Sequence, residues 1–351
     1  MPDLELILGK IRIGGNNPVV IVAEISDGHM GDFNKAKKLV FEAKKAGAGV
    51  VKFQMHFPEV EIIPGVKMWA GDLQDILKGV WFSPDKHKAI MKYCKEIDIQ
   101  YLCTPFSPKA VDVLNEMNVD GFKAGSGEIC NLPFHRKIAK ISAKSGKPVI
   151  ISTGMCTMSE LEETVSIYKE ESAYFMLMNC TSEYPISDYS HTRLGLIPVL
   201  KEKFGVMVGH SDHTTEIYTS IIAVALGARV IEKHFTLDRG GVFPDDFMSL
   251  DPPMMKELVD GIRKVEQALK GNEKIVLPEE QEIRSWAFHS VVSNVDIKEG
   301  ERISLKNVRS ARPGWGIPAK YLDEKYADEL IGRKVNKNIP LNNIIYWNDI
   351  E

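Results

Sequence analysis

The chain has 351 residues, of which 44% are hydrophobic and 26% are charged, and its formal net charge is −4. This composition is ordinary for a globular protein and leaves room for one large α/β domain and a small second one. The acidic balance, without a long basic run, argues against nucleic-acid binding through phosphate neutralisation. No stretch approaches the ~18 consecutive apolar residues of a membrane span, so we expect no membrane partner.

The first ten residues are acidic and lack the basic and apolar regions of a signal peptide. The five cysteines are odd in number and show no Cys-x-x-Cys spacing. Thiols in that pattern are typical of proteins from reducing compartments. We therefore expect a cytoplasmic protein with reduced cysteines.

The chain opens with an alternating segment and then repeats a strand-then-helix order. Residues 4–13 alternate around a Gly9-Lys10 turn, which predicts a hairpin within residues 1–17. Short β-branched runs then predict eight strands. They are Val19–Ala23, Val50–Gln54, Gln100–Thr104, Gly121–Ala124, Pro148–Ser152, Tyr174–Asn179, Val206–Gly209 and Val230–Phe235.

Helical patterns separate these strands, and several open on a proline, which the first turn of a helix tolerates. Eight strands alternating with helices over roughly 250 residues predict an α/β fold, a (β/α)8 TIM barrel, over residues 1–272. An open doubly wound sheet is the alternative, but no G-x-G-x-x-G follows the first strand. The predicted helices are Asn34–Ala46, Pro84–Glu96, Pro108–Met117, Leu132–Ser145, Met158–Lys169, Ile217–Leu226 and Pro253–Leu269.

The regions outside the strand–helix repeat can also be assigned from their sequence patterns. The long connection Met55–Val80 is predicted to be a rim loop or lid of the barrel. The charged, irregular stretch 273–286 is predicted to be a linker, and residues 287–351, with short strands and turns, a small C-terminal domain.

Two histidines follow neighbouring predicted strands. His213 and His234 lie 21 residues apart, and the carboxyl ends of parallel strands meet on one side of a sheet. Two convergent imidazoles with carboxylates nearby are a plausible start for a divalent-cation site. The alternative is that each histidine only caps or packs against a loop.

Lysines and hydroxyls recur at the other predicted strand ends, and Asp212 and Lys233 are expected at the same barrel mouth. Lys52 and Lys123 lie on alternate strands, whose side chains can share one layer of a barrel. With Ser126, Ser152 and Ser211 they suit a phosphate and a carboxylate. A lysine Schiff base, as in class I aldolases, is the mechanistic competitor.

Ordered motifs along nearly the whole chain resemble the sialic acid synthase family. The tail, with Arg312-Pro313-Gly314-Trp315-Gly316-Ile317, is similar to that family's antifreeze-like (SAF) domain. The barrel motifs are Ala23-Glu24-Ile25, Val51-Lys52-Phe53-Gln54, Thr104-Pro105-Phe106, Phe122-Lys123-Ala124-Gly125-Ser126-Gly127-Glu128, Ser152-Thr153-Gly154-Met155, Asn179-Cys180-Thr181-Ser182-Glu183-Tyr184-Pro185, Gly209-His210-Ser211-Asp212-His213-Thr214 and Glu232-Lys233-His234-Phe235-Thr236.

The resemblance implies a transferase that condenses phosphoenolpyruvate with an N-acylated hexosamine such as N-acetylmannosamine. The products would be phosphate and a nine-carbon 2-keto acid of the neuraminate or legionaminate type. It also implies a divalent cation, Mn²⁺ before Mg²⁺ or Co²⁺, and a domain-swapped homodimer in which Arg312 reaches the partner's site.

The resemblance also assigns roles to individual residues. The catalytic residues would be Glu24, Glu128, His213 and His234, with His213 and His234 as metal ligands. Phosphoenolpyruvate would be bound by Lys52, Thr104, Lys123, Ser126, Ser152, Ser182 and Ser211, and the sugar by Gln54, Tyr184, Asp245 and Arg312.

Three positions depart from the family pattern. Ser26 and Gly28 replace a glycine and an asparagine after the first strand, and His210 stands where leucine or tyrosine is usual. These changes leave open a diacetamido or phosphorylated sugar acceptor, or a catalytically altered sugar-binding homologue. A phosphorylated acceptor would need extra cations at the rim, for which Arg239 and Lys67 are the candidates.

Overall fold

The computed structural model describes residues 5–68, 71–241 and 243–351. They form two compact units, one ending at Lys270 and the other running from Gly271 to Glu351. No helix among the described residues is long and apolar enough to cross a membrane.

The first unit is built on eight parallel strands. β1 to β8 pair in the order β3-β2-β1-β8-β7-β6-β5-β4, and β3 and β4, at the two ends of this order, lie side by side. The predicted TIM barrel is therefore confirmed. The strands are β1 Val20–Ser26, β2 Val50–Met55, β3 Gln100–Pro105, β4 Phe122–Ala124, β5 Val149–Ser152, β6 Phe175–Cys180, β7 Val208–Asp212 and β8 Val230–His234.

Strand β7 runs three residues further than its apolar pattern indicates. His210, Ser211 and Asp212 are polar, yet they are buried and continue the parallel pairing with β8. Buried polar side chains at a strand end are costly unless they are paired. Here they are paired, which is why an apolar-run criterion ended the strand too early.

Side chains alternate between the barrel interior and the surrounding helices. One buried cluster takes Val20 and Val22 of β1, Val50 of β2 and Leu102 of β3. The residues between them, such as Ile21, belong to the cluster that packs under the helices. The predicted hairpin pairs Leu6–Leu8 with Ile11–Ile13 and adds its apolar side chains to the interior cluster, so it closes the amino-terminal end of the barrel.

Helices follow the strands as expected for this fold. Pro84 and Pro108 stand in the first turns of their helices, and Ser83 and Ser107 cap them through their side chains. The helix after β6 has no counterpart among the predicted ones. The helices are α1 Phe33–Ala46, α2 Pro84–Glu96, α3 Pro108–Glu116, α4 Leu132–Ser145, α5 Met158–Glu170, α6 Leu196–Phe204, α7 Tyr218–Ala225 and α8 Pro252–Ala268.

The connection between β2 and α2, predicted as a rim loop, contains two helical segments. They are Pro58–Glu61 and Leu73–Val80, with a two-residue pairing between Lys67–Met68 and Gly71–Asp72. Residues 69 and 70 of this prediction lie outside the described residues.

The second unit is rich in turns. It contains helix α9 (Gln281–Ala287), which spans the end of the predicted linker and the first residue of the predicted C-terminal domain, and an antiparallel pair, Ser290–Ser293 with Val308–Ala311. Its core is a separate cluster that includes Val291, Ile317 and Val335.

Candidate active site

The carboxyl-terminal end of the barrel interior is polar. Each strand that contributes to the apolar interior cluster presents its next inward side chain two residues later. Through this alternation Glu24 follows Val22 and Lys52 follows Val50, and both side chains are buried. The buried residues of this polar ring are Glu24, Lys52, Thr104, Lys123, Ser152, Ser211 and Glu232.

Lys52 is held between two carboxylates. Its Nζ lies 2.8 Å from Glu24 Oε2 and 3.5 Å from Glu232 Oε1, and it donates to Thr104 Oγ1 at 3.1 Å. Burial disfavours the ammonium form, but Glu232 and Glu24 outweigh burial and raise the pKa of Lys52. Lys52 is therefore a charged, fixed group and a poor Schiff-base nucleophile at neutral pH.

Glu232 connects the two lysines of the ring. Its Oε1 lies 4.0 Å from Lys123 Nζ and accepts a hydrogen bond from Ser211 Oγ at 3.1 Å. Burial raises the pKa of Glu232, but Lys123 and Lys52 outweigh it and lower the pKa to about 2. No role was predicted for Glu232 from the sequence. Glu232 lies two residues before His234, however, and this spacing places both side chains on the inner face of β8.

Lys123 differs from Lys52. Its Nζ donates to Ser152 Oγ, and burial lowers its pKa despite the attraction of Glu232. Lys52 lowers the pKa of Lys123 further through repulsion. An anion bound here would restore the favourable environment of this ammonium group, so the ring has the composition of an anion site.

A hydroxyl cradle lies beside the ring. The backbone N–H of Gly154 donates to Ser126 Oγ at 3.0 Å, and a Cβ on residue 154 would overlap Ser182 Oγ. Within the described part of the chain the buried Ser182 hydroxyl has no hydrogen-bond partner. An unsatisfied buried hydroxyl next to glycine is available to a ligand.

The two predicted histidines converge. The ring centroids of His213 and His234 are 5.5 Å apart, with 63° between the ring planes. His213 Nδ1 lies 2.6 Å from the Thr181 carbonyl oxygen and must donate to it. Burial, followed by repulsion from His234, lowers the pKa of His213 to about 3, so its ring is neutral and Nε2 keeps a free lone pair.

His234 is paired with a carboxylate. Its Nδ1 lies 3.3 Å from Asp245 Oδ2, and this contact outweighs burial and raises the pKa of His234. Tyr184 stacks on His213 with 4.2 Å between the ring centroids. The predicted sugar residues Tyr184 and Asp245 therefore lie next to the imidazole pair.

The imidazole pair fits a cation only in part. A neutral imidazole with Nδ1 bound to a carbonyl is the usual form of a histidine metal ligand. The described residues contain no group of three or more His, Cys, Asp or Glu side chains arranged to hold a metal. Among the described residues His213 and His234 therefore offer two ligands, and a cation would need substrate or water to complete its coordination.

Three polar residues of the same strands face outward. Asp212 lies 3.1 Å from Lys233 Nζ and accepts from the hydroxyls of Thr219 and Ser220. Lys233 and Asp212 were predicted at the barrel mouth; instead they bind β7 and β8 to α7. His210, whose Nδ1 donates to the Asn179 carbonyl oxygen, shares this outer face and is no third imidazole of the site.

Gln54 begins a buried chain of polar contacts at the rim. Its amide nitrogen donates to Glu24 Oε1 at 2.8 Å and to Ser26 Oγ at 3.1 Å. Its amide oxygen lies 3.2 Å from His56 Nε2, and His56 Nδ1 lies 2.8 Å from Glu61 Oε2. His56 and Glu61 were missed because both fall in the segment predicted as a rim loop.

Glu128 and Arg312 complete the set of predicted residues. Glu128 is half-buried in the turn Ser126–Glu128 and accepts from Asn131 Nδ2 at 2.7 Å. Burial raises the pKa of Glu128, as a proton-transferring carboxyl requires. Arg312 is exposed in the second unit, where its guanidinium lies 5.8 Å from the centre of the Trp286 ring.

Comparison with known proteins finds relatives that match most of this chain. The N,N'-diacetyllegionaminic acid synthase of Campylobacter jejuni is 37% identical over 331 residues, which cover 91% of this chain and 96% of that protein. The N-acetylneuraminate-9-phosphate synthase of Homo sapiens is 33% identical over 342 residues, covering 95% and 92%. The crystal structure of N-acetylneuraminic acid synthetase from Leptospira borgpetersenii, in complex with citrate, covers 80% of this chain and 95% of its own at a TM-score of 0.72 and 34% identity.

The family matches cover both units. The NeuB family matches residues 39–274, and the SAF domain family matches residues 288–351. The resemblance predicted from the motifs is confirmed: this chain belongs to the NeuB family, the family of sialic acid synthases, and carries a SAF domain.

Proposed function

We propose that the protein condenses phosphoenolpyruvate with an N-acylated hexosamine to give a nine-carbon 2-keto acid and phosphate. One observation supports this most strongly. A ring of two ammonium groups and hydroxyls lies at the same barrel end as two converging imidazoles. The names of the relatives, synthases of legionaminic and neuraminic acids, point to the same reaction class.

The polar ring and the hydroxyl cradle would hold phosphoenolpyruvate. Lys52 and Lys123 supply the positive charge. Thr104 accepts a hydrogen bond from Lys52, Ser152 accepts one from Lys123, and Ser211 donates one to Glu232. The free Ser182 hydroxyl and Ser126 add donors on one side. Charged donors and hydroxyls of this kind suit a phosphate together with a carboxylate.

His213 and His234 would hold a divalent cation, Mn²⁺ first, which when bound supplies Lewis-acid polarisation of the open-chain sugar aldehyde. The neutral His213 presents Nε2, and Asp245 orients His234. Asp245 and Tyr184, which contact the imidazoles, would bind the sugar hydroxyls.

The proposed reaction forms one C–C bond and breaks one C–O bond. C3 of phosphoenolpyruvate forms a bond with the aldehyde carbon of the sugar, and the aldehyde oxygen takes up a proton. Water adds to the cationic C2, and phosphate then leaves through cleavage of the C2–O bond to give the 2-keto acid. Glu24 would orient or deprotonate the water, and Glu128 would move protons at the sugar.

We infer that the acceptor is unphosphorylated. A phosphorylated sugar needs free cations at the rim, but the Arg239 guanidinium already donates to the carbonyl oxygens of Thr215 and Phe247. Of the two candidate cations this leaves Lys67, which is exposed on the two-residue strand pairing of the rim. Both monoacetamido and diacetamido hexoses therefore remain acceptors to be tested.

The second unit would complete the site. We propose a cytoplasmic homodimer in which Arg312 of one subunit reaches the N-acyl group bound by its partner. An exposed arginine beside an aromatic ring is available for such a contact.

The test is phosphate release with different acceptors. The protein is incubated with phosphoenolpyruvate, Mn²⁺ and, separately, N-acetylmannosamine, 2,4-diacetamido hexoses or N-acetylmannosamine 6-phosphate. Phosphate release that requires one unphosphorylated acyl sugar is the expected result. Release only with the phosphorylated sugar would overturn the acceptor assignment. Sugar binding without any release would show a non-catalytic homologue.

A further inference from the structure

We propose that His56 is a positioning residue: held as an imidazolium between Glu61 and Asp27, it orients the Gln54 amide and, through it, the Glu24 carboxylate. Its effect on turnover rests on the proposed function, whereas its protonation state does not. None of the roles predicted from the sequence includes His56 or Glu61.

The contacts form one continuous chain. Glu61 Oε2 lies 2.8 Å from His56 Nδ1, and His56 Nε2 lies 3.2 Å from Gln54 Oε1. Gln54 Nε2 donates to Glu24 Oε1 at 2.8 Å, and the other oxygen of Glu24 lies 2.8 Å from Lys52 Nζ. Every member of the chain is buried or nearly so, so water cannot replace these partners cheaply.

The direction of each hydrogen bond follows from valence. A carboxylate paired with Lys52 can only accept, so Gln54 must present its NH2 group to Glu24 and its carbonyl oxygen to His56. That oxygen also can only accept, so His56 Nε2 must carry a proton. Nδ1 faces the Glu61 carboxylate and must carry one too. Both ring nitrogens are therefore protonated, and His56 is a cation.

The surroundings support a cationic ring. Asp27 Oδ2 lies 3.5 Å from His56 Nε2. The ring stacks on Phe106, with 4.4 Å between centroids and 17° between planes, and the His56 carbonyl oxygen accepts from Trp81 Nε1. The charged groups that face His56 are Glu61 from the rim, Asp27 from the loop after β1 and Glu24 from β1 itself. The nearby rings of His29 and His87 are buried and neutral.

Loss of the Nε2 proton would break the chain. Burial opposes the charge on His56, but Glu61 and Asp27 outweigh burial and raise its pKa, so the cation persists at neutral pH and is lost as pH rises through that pKa. Above it, the Nε2 lone pair would face the Gln54 carbonyl oxygen, and two acceptors repel. The amide would turn, and Glu24 would lose its orienting donor.

Three substitutions separate this role from a merely structural one. His56→Leu removes the donor, and kcat for phosphate release should fall roughly 10- to 100-fold with the KM for phosphoenolpyruvate changed less than about threefold. His56→Gln restores an uncharged donor and should recover activity to within about fivefold of wild type, without the fall in kcat at high pH. Glu61→Gln should move that fall to lower pH by about one unit or more, because a paired anion is removed.

A surface pair supplies the matched control. His191 Nδ1 lies 2.7 Å from Glu183 Oε2, but the His191 side chain is 51% exposed. His191→Gln should leave the pH profile of kcat unchanged.

Nitrogen-15 NMR of the histidine side chains in the full-length protein provides the readout that needs no turnover. His56, assigned by the loss of its signals in His56→Gln, should show two protonated nitrogens at pH 7. A neutral ring there, or a His56→Leu variant with wild-type kcat, would overturn the proposal. If no acceptor gives phosphate, the proposed function fails, and the NMR result alone decides the state of His56.

Discussion

Glu232 Oε1 lies 3.5 Å from Lys52 Nζ and 4.0 Å from Lys123 Nζ, and all three groups belong to the buried polar ring. With Glu24 the ring carries two positive and two negative groups before any substrate binds. An incoming anion must therefore compete with Glu232 for the two ammonium groups.

Removal of the Glu232 charge should strengthen anion binding. Glu232→Gln keeps an acceptor for the Ser211 hydroxyl and removes one negative charge from the ring. We expect the affinity for phosphoenolpyruvate to rise roughly tenfold, about 1.4 kcal/mol, by isothermal titration calorimetry. Glu202→Gln, the same change at an exposed position of helix α6, should leave this affinity unchanged. Weaker binding in Glu232→Gln would show that Glu232 only holds the lysines in place.

Gly154 should be needed for its lack of a side chain. In Gly154→Ala the new Cβ would overlap Ser182 Oγ and lie 2.8 Å from Ser126 Oγ, so it would fill the hydroxyl cradle. We expect the KM for phosphoenolpyruvate to rise about tenfold or more, while the melting temperature changes little.

Gly195→Ala is the control for this change, because a Cβ there meets no atom within 4 Å. An unchanged KM in Gly154→Ala would place the anion away from Ser126 and Ser182.

Arg312 should act in the partner's site. Arg312→Ala and His213→Ala are each expected to lose most activity when expressed alone. Co-expressed with different tags, they should recover about a quarter of wild-type activity, since half of the dimers are mixed and each mixed dimer has one intact site. No recovery in purified mixed dimers would place Arg312 in the site of its own chain.

Acid should destabilise the barrel through its buried neutral histidines. Burial lowers the pKa of His29 and of His87 to about 3, and that of His135 to about 4. The unfolded chain binds these protons near pH 6.5. The contribution of each neutral ring to the free energy of unfolding is therefore fully present above pH 6.5, and it falls by about 1.4 kcal/mol for each pH unit below that value.

The contribution of one ring can be isolated. His87 Nδ1 lies 2.8 Å from the Tyr101 hydroxyl, and His87→Asn keeps a partner for that hydroxyl without titrating. Between pH 7 and pH 5 the variant should lose about 2 kcal/mol less free energy of unfolding in urea than wild type. Equal losses in the two proteins would mean that His87 is not neutral in the native state.

The barrel could be predicted from the sequence because its strands and helices follow regular periods. The eight strand positions and the convergence of His213 and His234 depend only on the order of elements and on parallel strands ending together. The inner face of β8 was also within reach, since Glu232 and His234 are two residues apart. Reading Glu232-Lys233-His234 as one polar run instead led to Lys233 being placed at the mouth, although it pairs with Asp212 on the outer face.

Residues of the rim could not be placed in this way. His56 and Glu61 have no periodic pattern around them, and their contact with Gln54 depends on how the chain folds back after β2. Helix α6 was missed because its short apolar pattern follows an irregular loop.

The central claim is that His213 and His234 share one divalent cation. Electron paramagnetic resonance of free Mn²⁺, titrated into metal-free protein, measures this directly and needs no turnover. We expect one Mn²⁺ site per chain in wild type and in His210→Leu, whose ring lies on the outer face, and its loss in His213→Ala and in His234→Ala. Equal Mn²⁺ binding by wild type and both alanine variants would contradict the account.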